Sequence, residues 1–147
     1  MDFKTQQNNI KAYIEEHLPS VLTSMNLANM DAYIDDFLDL DQYSKSKQLF
    51  YNFSNYNYDF LSNESESEDF EFSVYLVFRK DTSDNLRDNM LDYATAFYKM
   101  FEDSGCNLGG IADYGRIETV QFYPAAEGFP KVKIAELTIR LHTEVDA

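Results

Sequence analysis

Tryptophan is absent from the chain, cysteine occurs once, and histidine only twice in 147 residues. The single thiol, Cys106, excludes an internal disulfide and fits a reducing compartment. His17 and His142 stand apart, with no HExxH, CxxC or GxSxG pattern around them. A zinc site or hydrolase triad has no spacing to build on, and surface or capping roles are expected for both. Basic residues are scarce: 12 Lys and Arg stand against 26 Asp and Glu, a formal charge of −14. Affinity for phosphate backbones depends on Lys and Arg displacing counterions, so direct nucleic-acid binding is disfavoured, and anionic lipid is repelled for the same reason. No apolar run approaches the roughly 20 residues that cross a bilayer. The start, MDFKTQQNNIK, lacks the basic and apolar parts of a secretion signal, so the sequons at Asn52 and Asn63 carry no weight. The expectation is a non-enzymatic protein without cofactor or metal, made and kept in the cytoplasm or assembled there into something larger.

What is present is one domain's worth of chain, with 12 Phe and 11 Tyr to fill a core. Phe70, Phe72, Val74, Leu76 and Phe78 alternate with Glu71, Ser73, Tyr75, Val77 and Arg79, which predicts a strand with one core face. The second face is mixed: Tyr75 and Val77 call for cover by a loop, a second layer or a neighbouring subunit. Asp81, Thr82 and Ser83 offer caps for a helix. Leu86, Met90, Tyr93, Ala94, Phe97, Met100 and Phe101 then recur at steps of three and four, and Gly105 marks the stop. A helix laid across a sheet follows.

Before that pair, Phe3, Ile10, Tyr13, Ile14 and Leu18 share a helical stripe, and Pro19 predicts its end near Leu18. Residues 21–33 fit either a short helix or an irregular cover. Asp39 and Asp41 have the spacing of alternate calcium ligands, but no turn glycine or distal Glu follows, so 35–41 reads as loop or strand edge. A strand is expected at 48–54, paired with the Phe70 strand. The rings of Tyr51, Tyr56 and Tyr58 exceed what one sheet face needs, and they belong either to the core or to a protein interface. Residues 62–69, Ser-Asn-Glu-Ser-Glu-Ser-Glu-Asp, have no apolar anchor and carry like charges, which predicts a mobile acidic loop bearing Glu64, Glu66, Glu68 and Asp69.

The glycine-rich run 104–115 lacks the Lys and Ser/Thr of a phosphate-binding loop and reads as a connection. Residues 116–123 alternate weakly, with Val120 and Phe122 on one side and Ile117 on the other. A turn at 124–130 follows. In the last strand Ala135, Leu137, Ile139 and Leu141 share a face; Val132 and Ile134 have the opposite parity, which implies burial on both sides or a bulge near Ile134. The expected fold class is α+β: an antiparallel or mixed sheet with an N-terminal helix and one long helix on a face, in the order α-β-β-α-β-β over a single domain, 1–147, that leaves no room for a further C-terminal one.

That order, with Phe70-Glu-Phe-Ser-Val-Tyr-Leu-Val-Phe78, Thr82-Ser-Asp-Asn-Leu-Arg-Asp-Asn-Met-Leu-Asp-Tyr-Ala94 and Lys133-Ile-Ala-Glu-Leu-Thr-Ile-Arg-Leu141, resembles the tail terminator (tail completion, minor tail) proteins of long-tailed bacteriophages. Residues 21–55 have no matching feature. The resemblance implies a virion protein that forms a homo-hexameric ring, caps the tail tube and joins it to the head-side neck or connector proteins. Tyr51, Tyr56, Tyr58, Tyr75 and Val77 would then be subunit contacts, and the acidic loop would face the lumen or the next ring. A carboxylate-rich wall lets DNA pass without adhering. Two other classes fit the composition: an acidic nucleic-acid mimic using Asp84, Asp88 and Asp92 on a rigid helix, and a cytoplasmic adaptor.

Overall fold

The computed structural model describes residues 2–36, 38–60, 65–79, 85–125 and 131–146, with backbone alone at 59, 60, 65, 66, 145 and 146. Helix α1 (Phe3–Ser24) leads into a short strand β1 (Ala32–Ile34) and then into β2 (Lys47–Phe60) and β3 (Ser65–Arg79). Helix α2 (Leu86–Asp103) follows, then β4 (Tyr114–Tyr123) and β5 (Val132–Asp146). The five strands form one sheet in the order β1-β2-β3-β5-β4. β1 runs parallel to β2, and the other pairs are antiparallel. This is the expected α+β layout with one short strand added.

Both helices cover the same sheet face. Ile10, Ile14, Leu18 and Leu22 of α1 and Met90, Tyr93, Phe97, Met100 and Phe101 of α2 close over Leu49, Tyr51, Phe70, Phe72, Val74, Leu76, Phe78, Leu137, Ile139 and Leu141. Each large side chain so buried contributes about 1.5–3 kcal/mol. The stripe expected in α2 is the one buried. Its start is Leu86 with Asn85 at the cap position, making no side-chain cap bond; the Asp81, Thr82 and Ser83 caps lie outside the described residues. It ends at Asp103, next to the expected stop, and Gly105 follows with φ +80°.

Helix α1 runs six residues past the expected end and carries Pro19 inside it. An interior proline costs about 3 kcal/mol through one lost hydrogen bond and a ring clash. Ending the helix at Leu18 would instead expose Leu22, fully buried here, and unseat Val21 and Met25, which pack beside it. Burial of comparable size therefore carries the helix through. The ambiguous stretch after Pro19 resolves as helix to Ser24 and then a connection into β1, with Tyr93 Oη donating to the Ala28 carbonyl at 2.6 Å.

The outer face of the sheet has a second, smaller core: Phe50, Val77, Val132 and Ile134, covered by Ile34, Leu38, Leu40 and Tyr43. Residues 35–36 and 38–43 are the loop that the mixed face of β3 required. Arg79 ties it down, donating from Nη1 to the carbonyls of Leu40 (2.6 Å) and Tyr43 (2.8 Å). Asp36 and Asp39 are used within it, while Asp35 pairs with Lys11 of α1 at 2.6 Å. Asp39 accepts from the amides of Asp41 and Gln42, and Asp36 accepts from the Tyr43 hydroxyl at 2.7 Å. Val132 and Ile134 are buried because β5 is covered on both sides there; its register with β3 is unbroken.

β4 departs from the expected alternation. A register shift between Ile117 and Thr119 places Ile117 opposite Ile139 and Val120 opposite Leu137, so all lie on the helix face. A bulge at Glu118 inserts the extra residue. Of the connection expected at 124–130, residues 126–130 lie outside the described residues.

Candidate functional site

Beyond the strap at 35–43, the outer face of the sheet is polar. Asn57, Asp69, His142 and Tyr114 form one cross-strand row over β2, β3, β5 and β4. Asn55, Glu71, Arg140 and Arg116 form the next, and Asn52, Ser73, Thr138 and Thr119 the third. Opposed residues on neighbouring strands share a face and stand about 4.5–5.5 Å apart at Cβ, so each row is a contact line. Ser73 Oγ and Thr138 Oγ1 are 3.1 Å apart.

At the β4 end of these rows is an open cavity of about 350 Å³ lined by Asp69, Tyr114, Gly115, Arg116, Arg140 and His142. Its charges are matched. Arg140 contacts Glu71 from Nη2 and Glu118 from Nε, both at 3.2 Å, and Arg116 Nη2 meets the same Glu118 at 3.1 Å. Glu71 and Glu118 hold the Arg140 guanidinium above its ordinary pKa, chiefly through the hydrogen bond that Arg140 donates to Glu71. His142 Nδ1 donates to Asp69 Oδ1 at 2.7 Å, which leaves Nε2 directed toward Glu144 at 3.8 Å. The Tyr114 ring stacks on the imidazole at 4.6 Å and 17°. Gly115 is required beneath: an added Cβ would meet the Arg140 carbonyl at 2.8 Å and that of Cys106 at 2.9 Å.

Apolar exposure is concentrated elsewhere, along β4. Tyr98 of α2 is 44% exposed, Val120 38% and Phe122 40%, and with Ala94 and Thr95 they line a groove of about 310 Å³. α2 covers β3 and β5 but stops short of β4, the outermost strand of the sheet on that side.

The residues expected at an interface are dispersed by the fold. Tyr51 is core, 3% exposed, with its hydroxyl buried near Glu15. Val77 is fully buried under the strap, and Tyr75 packs at the edge of the same cluster. Tyr56 is half-buried, its ring 4.2 Å from Phe70 and 4.5 Å from Phe3. Tyr58, at 44%, is the member of that set left exposed. The contact role therefore fails for Tyr51 and Val77: alternation sends each to a core, on opposite faces of the sheet.

The acidic loop is also corrected. From Ser65 onward the chain is β3, with its backbone paired to β2 on one side and β5 on the other. Glu68 is 1% exposed on the helix face, and Asp69 is bound to His142 on the outer face. Two flanking strands held the backbone where composition alone predicted repulsion. Glu64 and the side chain of Glu66 lie outside the described residues.

Sequence reasoning placed His142 on a late strand with a surface role and missed the cavity. Its signal was the parity of β5: Arg140 and His142 share a face, which meets Asp69 and Glu71 once β3 is the neighbour. Among the described residues no group of three or more His, Cys, Asp or Glu converges to hold a metal ion, and no helix is long and apolar enough to cross a membrane. No protein-family model and no curated protein matches the chain.

Proposed function

We propose that the protein is a structural assembly subunit that joins copies of itself through its sheet edges, in the manner of the ring-forming phage tail terminators that its sequence resembles. The observation that carries this reading is the apolar groove of Tyr98, Val120 and Phe122 beside β4, a ten-residue edge strand with no strand on its outer side among the described residues. Apolar surface along an open edge favours strand addition by another chain.

Strand direction supports a head-to-tail contact. β1 shields only Gln48, Leu49 and Phe50 of β2, so beyond Phe50 the side of β2 away from β3 has no strand beside it among the described residues. The four long strands alternate in direction, so the β2 and β4 edges run opposite ways. β4 of one copy can therefore pair antiparallel with β2 of the next while keeping both sheets facing the same way. Such a contact is heterologous, and it closes into a ring when the rotation between copies allows it. Tyr58 and Phe3, exposed on the helix face at the β2 edge, would then approach the groove's side of the neighbouring copy.

The tail tube and the head-side neck would be the partners of such a ring in a virion, and the surplus of carboxylates suits a channel that DNA crosses. Against an enzyme reading, the Arg140, Glu71, Glu118 and Arg116 groups neutralise one another. Native mass spectrometry over a wide concentration range tests the proposal. A closed oligomer is expected, with Val120→Glu and Phe122→Glu together giving a folded monomer by circular dichroism. A monomer at every concentration overturns self-assembly and favours the nucleic-acid mimic, for which Asp88 and Asp92 are exposed on α2.

A further inference from the structure

Antiparallel pairing of β4 with β2 of a second copy leaves the register between them to be fixed. We propose that Tyr58 of one copy seats on Val120 of the next, with residues 119–123 of β4 set against residues 55–59 of β2. This contact rests on the edge pairing proposed above and names the partner surface for it.

Side-chain parity restricts the choice, because directly opposed residues share a face. On β4 the helix-side positions are Gly115 and Ile117, then Val120 and Phe122 after the bulge at Glu118. On β2 they are Tyr51 and Phe53, then Tyr56 and Tyr58 after a register shift at Ser54. Registers that satisfy parity across both bulges carry Tyr123 onto Phe50 or nearer the start of β2, where β1 already pairs. The longest register that avoids β1 lies on one side of each bulge. It sets Val120 opposite Tyr58, Phe122 opposite Tyr56 and, on the outer face, Gln121 opposite Asn57.

Exposure selects the same pairing independently. Phe3, Tyr58, Tyr98, Tyr114, Val120 and Phe122 are the large apolar or aromatic side chains left exposed among the described residues. All but Tyr114 gather at this one contact. Tyr98, Val120 and Phe122 line the groove of one copy, while Tyr58 and Phe3, whose ring is 4.5 Å from that of Tyr56, border the β2 edge of the other. Aromatic and β-branched residues opposed across strands are favourable pairs.

Charge points to a second copy as the occupant. Each copy carries a formal −14, so copies repel one another at a distance, and their meeting surfaces are best free of carboxylates. Residues 119–123, Thr-Val-Gln-Phe-Tyr, and 55–58, Asn-Tyr-Asn-Tyr, contain no charged residue in a chain that is 26% charged. Asp59, at the end of the register, is opposed by the uncharged Thr119. Unpaired edge strands are ordinarily protected by charged side chains, and these two stretches lack them.

The test is disulfide trapping between two full-length chains in a Cys106→Ser background, one carrying Gln121→Cys and the other, marked by a mass tag, Asn57→Cys. Both positions are exposed on the outer face, so neither substitution empties a core. In the proposed register their β-carbons stand within the span of a disulfide. Gln121→Cys with Asn52→Cys is the comparison; it reports the register that crosses both bulges, and here the two positions are about 17 Å apart along the strand. With diamide as oxidant, the mixed dimer of the first pair is expected to form at least about tenfold faster than that of the second. An equal or faster second pair overturns the register and leaves edge pairing in place. Absence of both dimers while native mass spectrometry shows oligomers overturns the contact and leaves self-assembly in place. Monomers throughout overturn the assembly reading and this contact with it.

Discussion

The Tyr13 ring occupies the place where a β-carbon on Gly109 would stand, 2.7 Å from its Cε2. Gly109 has φ +72°, and the Tyr13 ring is also held by His17, stacked on it at 3.9 Å. Gly109→Ala therefore combines left-handed strain with displacement of a held ring, and a loss of about 2–4 kcal/mol is expected. Gly110, at φ +97° with nothing within 4 Å, supplies the comparison: its alanine variant carries backbone strain alone, about 1–2 kcal/mol. Urea unfolding of the two variants, with m unchanged, measures the difference. Equal losses would show that the Tyr13 contact is irrelevant.

Arg79 fastens the strap that covers the smaller core. Truncating it leaves the carbonyls of Leu40 and Tyr43 without this donor and opens a route to Phe50 and Val77. Arg79→Ala should cost about 2–3 kcal/mol, the range for losing charge-assisted hydrogen bonds. Hydrogen exchange should accelerate at the Tyr43 amide while those of α1 and α2 keep their protection. Uniform acceleration would mean that the strap and the main core unfold together.

Tyr51 and Tyr58 lie on the same strand and face, and their serine variants should behave oppositely. Tyr51→Ser empties a core position and is expected to cost about 3–5 kcal/mol. Tyr58→Ser removes a ring that is 44% exposed and should cost under about 1 kcal/mol, with any effect appearing in assembly instead. Denaturation midpoints and native mass spectrometry on the same two proteins separate the roles.

Alkaline pH should loosen the junction of α1, β1 and β2. Burial, then the Glu15 carboxylate, pushes the Tyr33 phenol up to about 12, and the same two causes raise Tyr51. The unfolded phenol titrates near ~10. Because the folded value is the higher, this contribution is complete below that unfolded value and is lost as pH rises through about 12. Tyr33→Phe should flatten that part of the stability profile. Tyrosinate absorbance during the titration checks it; Tyr33 ionising with the unfolded phenols would remove the basis of the claim.

How much was legible in the sequence depended on how local the deciding force was. The β3 and α2 stripes were readable because alternation and the 3.6-residue repeat report a single buried face. The end of α1 was misread because Pro19 is a local signal, while the burial of Leu22 comes from a sheet that the chain has yet to make. The acidic run was misread for the converse reason: like charges signal disorder, yet two neighbouring strands satisfy the backbone of its second half. Ile117 was assigned to the wrong side because one bulge at Glu118 reverses parity, and nothing in the run Arg-Ile-Glu-Thr-Val announces it.

The sequence by itself determined an acidic α+β protein with a helix-on-sheet core, since composition and periodicity act through short-range geometry. Only the tertiary structure decided which aromatic residues stay exposed, because that depends on where α2 ends its cover of the sheet. It also decided that Asp69 and Glu71 meet His142 and Arg140, partners 73 and 69 residues away. Such pairings are fixed by strand order and register, which arise from the packing of the whole chain.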